Sequence, residues 1–280
     1  MPTPPPASQI EFWNGAPGLR WAKEQARLDR VFEPIDVVGL EVAAAAKGEH
    51  VVDLGCGAGA STLQLGARVG PSGSVLGVDP SAPMLGRAKE RAKDTPWISF
   101  ALADASRFPF PGTADLLYSR FGSMFFEDPL AAFAHLSSAL RPKGRIVLVV
   151  WRTRAENPWF MLPLEAAAKH LPPEEPTPPN APGPFSFASA ARVREVLSGA
   201  GFVDVKLAAR DVLVSLSETG VDAAVDFAVE AGPASRAFAG ADDALASRMR
   251  ASIQEALAPY LEGSRVALWA GVWIVTAARQ

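Results

Sequence analysis

Three glycines at alternate positions, Gly55, Gly57 and Gly59, follow the apolar run Val51-Val52-Asp53-Leu54. Three aspartates, Asp53, Asp79 and Asp104, stand at the ends of three successive runs of this kind. Glycine tolerates positive φ because it has no Cβ, so this spacing makes a loop whose backbone can close on a ligand. A helix beginning just after the loop aims unpaired N–H groups at the same point. Carboxylates at neighbouring strand ends add acceptors for hydroxyl and amino groups. The pattern describes a cradle for a small polar ligand.

Two ligand classes use such a loop. Gly55, Gly57 and Ala60 satisfy a loose G-x-G-x-x-A spacing, which fits a dinucleotide with Asp79 on its ribose. Three features favour S-adenosylmethionine instead. Asp53 would repel a pyrophosphate but favours an α-amino group. Asp104, in Leu102-Ala103-Asp104-Ala105, can accept from an adenine amine. The end of the chain, with apolar runs at Phe202–Ala209 and Val266–Ala277, fits a sheet closed by an antiparallel hairpin.

The elements that must position these residues alternate strand and helix. Strands are expected at Val51–Leu54, Ser74–Val78, Trp97–Leu102, Ala114–Tyr118 and Arg145–Trp151, with helices at Ser61–Val69, Ser81 to Lys93 and Pro129–Leu140. Continuous apolar strands suit a parallel sheet covered on both faces. Before this core, Gln9 to Ala46 has helical spacing, with Leu28, Val31, Phe32 and Ile35 on one face and Pro34 permitting a break. After it come a short helix at Met161–His170, a proline-dense stretch, a helix at Ala188–Gly199, and alanine-rich helices at Val221–Glu230 and Ala241–Tyr260. The Pro-rich leader through Ala7 is expected to be disordered.

Composition narrows the function. With 27 Lys and Arg against 30 Asp and Glu, the net charge is -3 and the pI is 5.7, with no basic cluster for a nucleic-acid backbone. The single cysteine, Cys56, excludes an internal disulfide and a multi-cysteine metal site. No apolar run is long enough to span a membrane and no signal peptide opens the chain, so a cytoplasmic protein is expected.

The chain resembles the class I S-adenosylmethionine-dependent methyltransferases, especially bacterial small-molecule members of the ubiquinone and menaquinone biosynthesis type. The residues that carry the resemblance are Val51–Gly59, Leu76-Gly77-Val78-Asp79-Pro80-Ser81 with Met84, Ala103-Asp104-Ala105, Ser119-Arg120-Phe121-Gly122 and Leu140-Arg141-Pro142-Lys143-Gly144-Arg145. Trp13-Asn14-Gly15, with Gly18 and Trp21, is similar to the N-terminal lid of that group. The resemblance implies a Rossmann-like α/β fold: a seven-stranded, mostly parallel sheet with an antiparallel last strand, helices on both faces and a helical cap. It divides the chain into a lid (residues 1–46), a cofactor-binding core (47–152), a helical and proline-rich insert (153–187), a continuation of the core (188–210), a helical cap (211–262) and a terminal strand (263–280).

The resemblance also implies roles. Gly55, Gly57 and Gly59 would line the methionine moiety, beside Asp53 and Cys56. Asp79 would take both ribose hydroxyls, next to Pro80, and Met84 would pack on adenine. Asp104, with Ala105, would hold the adenine amine, and the Ser119 backbone would meet the methionine amino group. Trp13, Trp21 and Arg120 join them as cofactor-site candidates. Phe121, Met124 and Phe125 are candidates for the acceptor wall, whereas Phe126 reads as core. The partner implied is a small, partly apolar acceptor, methylated on O, N or C, and the protein a monomer or homodimer.

Other readings of single residues stay open at this stage. Trp13 and Trp21 have a common core spacing, and Arg120 either forms an ion pair or faces the substrate. Cys56 reads as a small filler, His50 as a surface residue and His135 as solvated. His170, near Glu165, and Arg120 are the candidates for catalysis. A neutral hydroxyl acceptor would need a base, and no His–Asp dyad stands out. The alternatives to a methyltransferase are an NAD(P)-dependent oxidoreductase and a non-catalytic protein that binds S-adenosylmethionine.

Overall fold

The computed structural model describes residues 9–173, 178 and 180–280. The leader, expected to be disordered, and part of the proline-dense stretch lie outside the described residues. Three helices open the chain: α1 (Gln9–Asn14), α2 (Ala16–Lys23) and α3 (Gln25–Ala43). Helix α3 runs through Pro34 without a break. Val31, Phe32, Ile35, Asp36, Gly39 and Leu40 bury one face of it, and that burial outweighs the roughly 3 kcal/mol an internal proline costs a helix.

The core then alternates β1 (His50–Leu54), α4 (Ala60–Val69), β2 (Ser74–Asp79), α5 (Ala82–Arg91), β3 (Ile98–Leu102), β4 (Ala114–Arg120), α6 (Pro129–Ser137) and β5 (Leu140–Trp151). Helix α6 stops three residues earlier than its sequence pattern suggests. Leu140 already pairs with Ala114 on β4, ahead of a register shift, so Arg141-Pro142-Lys143-Gly144 belongs to the start of β5. Helices α7 (Pro158–Ala168) and α8 (Ala190–Gly199) lead to β6 (Phe202–Ser217), and α9 (Val221–Glu230) and α10 (Asp243–Leu257) to β7 (Leu261–Glu262) and β8 (Arg265–Arg279).

The strand order is β3-β2-β1-β4-β5-β8-β6. All neighbours are parallel as far as β5, and β8 runs antiparallel to both β5 and β6. The expected mostly parallel sheet with an antiparallel last strand is therefore present, with the two-residue β7 folded onto β8 as an eighth. Strand β6 is about twice its expected length and takes residues up to Ser217 that were assigned to the helical cap. Its second half buries Val212, Val214 and Leu216 in alternation, a period-two pattern that a helix would not give.

The order reverses between β1 and β4. Such a switch point opens a crevice beyond the carboxyl ends of the strands. Helix α10 packs on both α7 and α9. Helices α1 and α2 pack on each other, and α2 also meets α5. Among the described residues, no helix is long and apolar enough to cross a membrane.

Candidate active site at the switch point

Gly55, Gly57 and Gly59 all have positive φ, at 66°, 55° and 86°, so the alternate spacing follows from backbone conformation. The Gly55 and Cys56 amides donate to Val78 O, which anchors the loop to the end of β2. Behind it the β4 turn comes very close. A Cβ on Gly55 would lie 2.6 Å from Gly122 Cα, and one on Gly122 would lie 2.6 Å from Leu54 O. Gly122 is thus as necessary as the three loop glycines. Its negative φ and place outside the G-x-G-x-G run hid that role.

Asp79 sits at the end of β2, 4% exposed. Its Oδ2 accepts from Gly57 N at 2.8 Å and its Oδ1 from Ser81 N at 2.8 Å. A carboxylate oxygen takes two hydrogen bonds, so each oxygen keeps an acceptor site. Burial pushes the carboxyl up to about 6, partly offset by the two amides. Asp53 is fully buried under the loop. Its Oδ2 accepts from Ser61 Oγ and Thr62 Oγ1 at 2.7 and 2.6 Å, and its Oδ1 has no partner. Burial raises this carboxyl to about 6 as well. Asp104 accepts from the amide and hydroxyl of Ser106 on Oδ1.

A cavity of about 1420 Å³ joins these features to the cap. Its wall includes Trp13, Trp21, Gly55, Cys56, Gly57, Asp79, Pro80, Met84, Asp104 and Ala105, together with Arg120, Phe121, Met124 and Phe125. Asp53, Gly59 and Ser119 are behind the wall. The Ser119 hydroxyl donates to Leu54 O and accepts from Ser123 N, stitching β4 to β1. The Cys56 thiol is buried, and burial pushes its pKa well up, which disfavours the thiolate that a nucleophile needs.

Arg120 combines the two readings left open for it. It lines the cavity, and its Nε lies 2.9 Å from Asp36 Oδ1 on α3. The approach is off the N–H axis, and neither atom has a hydrogen-bond partner. Sequence reading missed Asp36, although it lies four residues after the core-facing Phe32. Desolvation raises the Asp36 carboxyl, and Arg120 opposes that shift.

The next residue, Phe121, has φ of 66°, an uncommon conformation for a side chain of this size. Stacking on Trp151 with ring centroids 3.9 Å apart, and its amide bond to Val149 O, hold it there. Trp151 in turn packs against Trp159, and Trp13 against Trp21 and Phe125, so aromatic rings surround the chamber. Phe126 packs edge to face on Phe133 as expected for core, and it also reaches the cavity wall.

The N-terminal helices are clamped onto the β2–α5 turn. The Asn14 amide donates to Pro80 O at 2.7 Å, its oxygen accepts from Ala82 N at 3.0 Å, and Ser81 Oγ donates to Trp13 O. Asn14 was legible only as part of a motif, with no role.

The histidines lie off the cavity wall. His170 pairs with Ser252 Oγ at 2.8 Å and ties the end of α7 to α10, so it does not reach the chamber. His135 is half-buried and bonded to Phe108 O, not solvated as its place on the helix suggested. His50 is exposed, beside Ser74 Oγ.

An open, mostly parallel sheet with a glycine loop and acidic strand ends at its switch point defines a Rossmann-like α/β protein with a cofactor-type site. Residues 51–144 match the family model described as a methyltransferase domain. Over 188 residues the chain is 31% identical to nocamycin O-methyltransferase of Saccharothrix syringae, covering 62% of this chain and 66% of that one. It is 36% identical over 146 residues to trans-aconitate 2-methyltransferase of Paracidovorax citrulli, covering 51% and 52%. The chain thus spans less than two thirds of the length of these curated relatives.

A solved structure of Haemonchus contortus phosphoethanolamine N-methyltransferase 2 with S-adenosyl-L-methionine superposes with a TM-score of 0.60 at 16% identity, over 98% of this chain and 60% of that one. At that identity the likeness concerns the fold. The matches bear out the resemblance to S-adenosylmethionine-dependent methyltransferases and do not favour a nicotinamide-dependent oxidoreductase.

Proposed function

We propose that this chain transfers a methyl group from S-adenosylmethionine to a small, partly apolar acceptor inside the cavity. The observation that carries the reading is the continuity of one cavity from the glycine loop and Asp79 to the aromatic chamber beneath the cap. The residues fit the donor. The Arg120 guanidinium on the wall suits the carboxylate of its amino-acid end, and Asp53, behind the wall with Oδ1 unpartnered, sets negative charge beneath the loop where the ammonium would lie. Asp79 keeps acceptor sites for ribose hydroxyls, Met84 offers an apolar contact for adenine, and Asp104 an acceptor for its amine. The bound donor supplies an electrophilic methyl on a sulfonium.

The protein's part is alignment and exclusion of water. Holding acceptor and methyl in line is worth several kcal/mol, and an aromatic chamber suits a reaction in which the sulfonium charge disappears. No histidine lines the cavity among the described residues, which favours acceptors that need no strong base, such as amines and phenolates. We assign the described residues of 153–187 and of 211–262, apart from the β6 segment through Ser217 and strand β7, to a cap that encloses the acceptor. We place the enzyme in the cytoplasm; among the described residues no helix is long and apolar enough to cross a membrane. Native mass spectrometry of the purified protein tests the reading: bound S-adenosylmethionine or S-adenosylhomocysteine is expected, and a co-purified nicotinamide nucleotide would overturn it.

A further inference from the structure

Several arginines of this chain are neutralised by carboxylates, for instance Arg91 by Asp29, Arg145 by Glu49, and Arg152 by Glu156 and Asp211. On the cavity wall Arg120 faces Asp36, whereas Arg107, Arg154 and Arg236 have no carboxylate partner among the described residues. Arg154 follows the end of β5 on the 3-10 turn Arg154–Glu156, and Arg236 ends the 3-10 turn Pro233–Arg236 between α9 and α10. Neither guanidinium has a hydrogen-bonding or ionic partner among the described residues.

The turn under Arg154 is fixed. Thr153 N and Oγ1 both donate to Glu156 Oε2, and Glu156 is further engaged by Arg152, so the nearest carboxylate is already committed. The Arg154 guanidinium lies over the Phe185 ring, 5.1 Å from its centroid, and Phe185 meets Phe160 edge to face at 5.2 Å. A cation held over an aromatic face keeps its N–H edge free. Arg107, also unpaired on the wall, lies three residues after Asp104 at the other end; of the wall carboxylates without a cation, Asp79, Asp104 and Asp128 accept hydrogen bonds, and Glu127 and Glu165 have no partner among the described residues. The cap end therefore presents two arginines, against Glu165 on α7.

We infer that the acceptor carries a carboxylate or comparable oxyanion, held at the cap end of the cavity by Arg154 and Arg236, with its apolar body against Trp151, Trp159 and Phe160. This rests on the methyltransferase reading and names the substrate class of the same site. Guanidinium groups match oxyanions in geometry as well as charge. The apolar wall excludes highly hydrated ions, so an aryl or alkyl acid fits better than a free inorganic anion.

The test is calorimetry on the full chain saturated with S-adenosylhomocysteine. The probes are trans-cinnamate, indole-3-acetate and phenyl phosphate, with the matching carboxamides and the neutral dimethyl phosphate ester as controls. The anions should bind about tenfold more tightly than their neutral counterparts, the scale of a charge-assisted hydrogen bond at a partly exposed site. In an R154A/R236A variant that preference should fall below about threefold, and R154K/R236K should restore part of it. Both side chains are exposed, so the variants should fold and keep their S-adenosylhomocysteine affinity. Equal or absent binding of anions and neutrals to the native chain overturns the inference, as does a preference that survives the double replacement. Failure of S-adenosylhomocysteine itself to bind overturns the methyltransferase reading, and the inference with it.

Discussion

The Gly57 amide donates to Asp79 Oδ2 across 2.8 Å, joining the loop after β1 to the carboxylate that ends β2. Ser81 N occupies the other oxygen, and Ser81 Oγ reaches back to Trp13 O, so loop, strand end and N-terminal helices form one hydrogen-bonded unit. Asp79 therefore shapes the cradle as well as offering acceptors to a ligand. D79N should weaken S-adenosylhomocysteine binding by about one to two decades, from the roughly 1.5–3 kcal/mol of a hydrogen bond to a charged group. Calorimetry of the variant beside the native chain measures this.

The Gly55–Gly122 contact separates two costs. G122A adds a clash without a positive φ, since Gly122 has φ of -72°. G70A adds strain without a clash, because Gly70 has φ of 64° and nothing within 4 Å of its would-be Cβ. G55A adds both. Thermal denaturation should rank the losses G55A first, with G122A alone costing about 1–3 kcal/mol, the usual price of overpacking. A G55A variant as stable as G70A would refute the tight apposition of the two turns.

Asp53 and Asp79 both have carboxyls raised from 3.8 to about 6. The folded state then binds more protons than the unfolded chain between those values, so these two groups make stability fall as pH rises from about 4 to about 6. Cofactor binding should run the other way, because it uses the ionised carboxylates. S-adenosylhomocysteine affinity should increase through pH 6 and level off above it, and D53N should flatten its part of both profiles. A binding curve that declines from pH 5 to 7 would contradict these assignments.

Asn14 holds the N-terminal helices to Pro80 O and Ala82 N. N14A removes both bonds at an exposed position, where water replaces the lost partners, so the cost should lie at or below the net of about 0.5–1.5 kcal/mol each. The melting temperature should barely move. Proteolysis within residues 9–23 should accelerate, and S-adenosylhomocysteine should slow it again.

How much of this was legible follows from the range of the interactions. The glycine loop, Asp79, Met84 and Asp104 could be read because each is set by local conformation and by a strand end. The Asp36–Arg120 pair is a contact between an N-terminal helix and the fourth strand, 84 positions apart, that no local pattern encodes. His170 failed as a candidate base because proximity to Glu165 in sequence says nothing of α10, whose Ser252 takes it. Strand β6 was readable to its end, since Val212, Val214 and Leu216 alternate. Its second half was given to the cap because the alanine-rich helices that follow dominate that region.

The central claim is that the glycine loop and its aspartates hold S-adenosylmethionine. Its most direct test is calorimetric titration of the purified chain with S-adenosylhomocysteine, alongside NAD and NADP. Saturable one-to-one binding of S-adenosylhomocysteine, with no heat from either nicotinamide nucleotide, is the result expected. Binding of a nicotinamide nucleotide without binding of S-adenosylhomocysteine would contradict it.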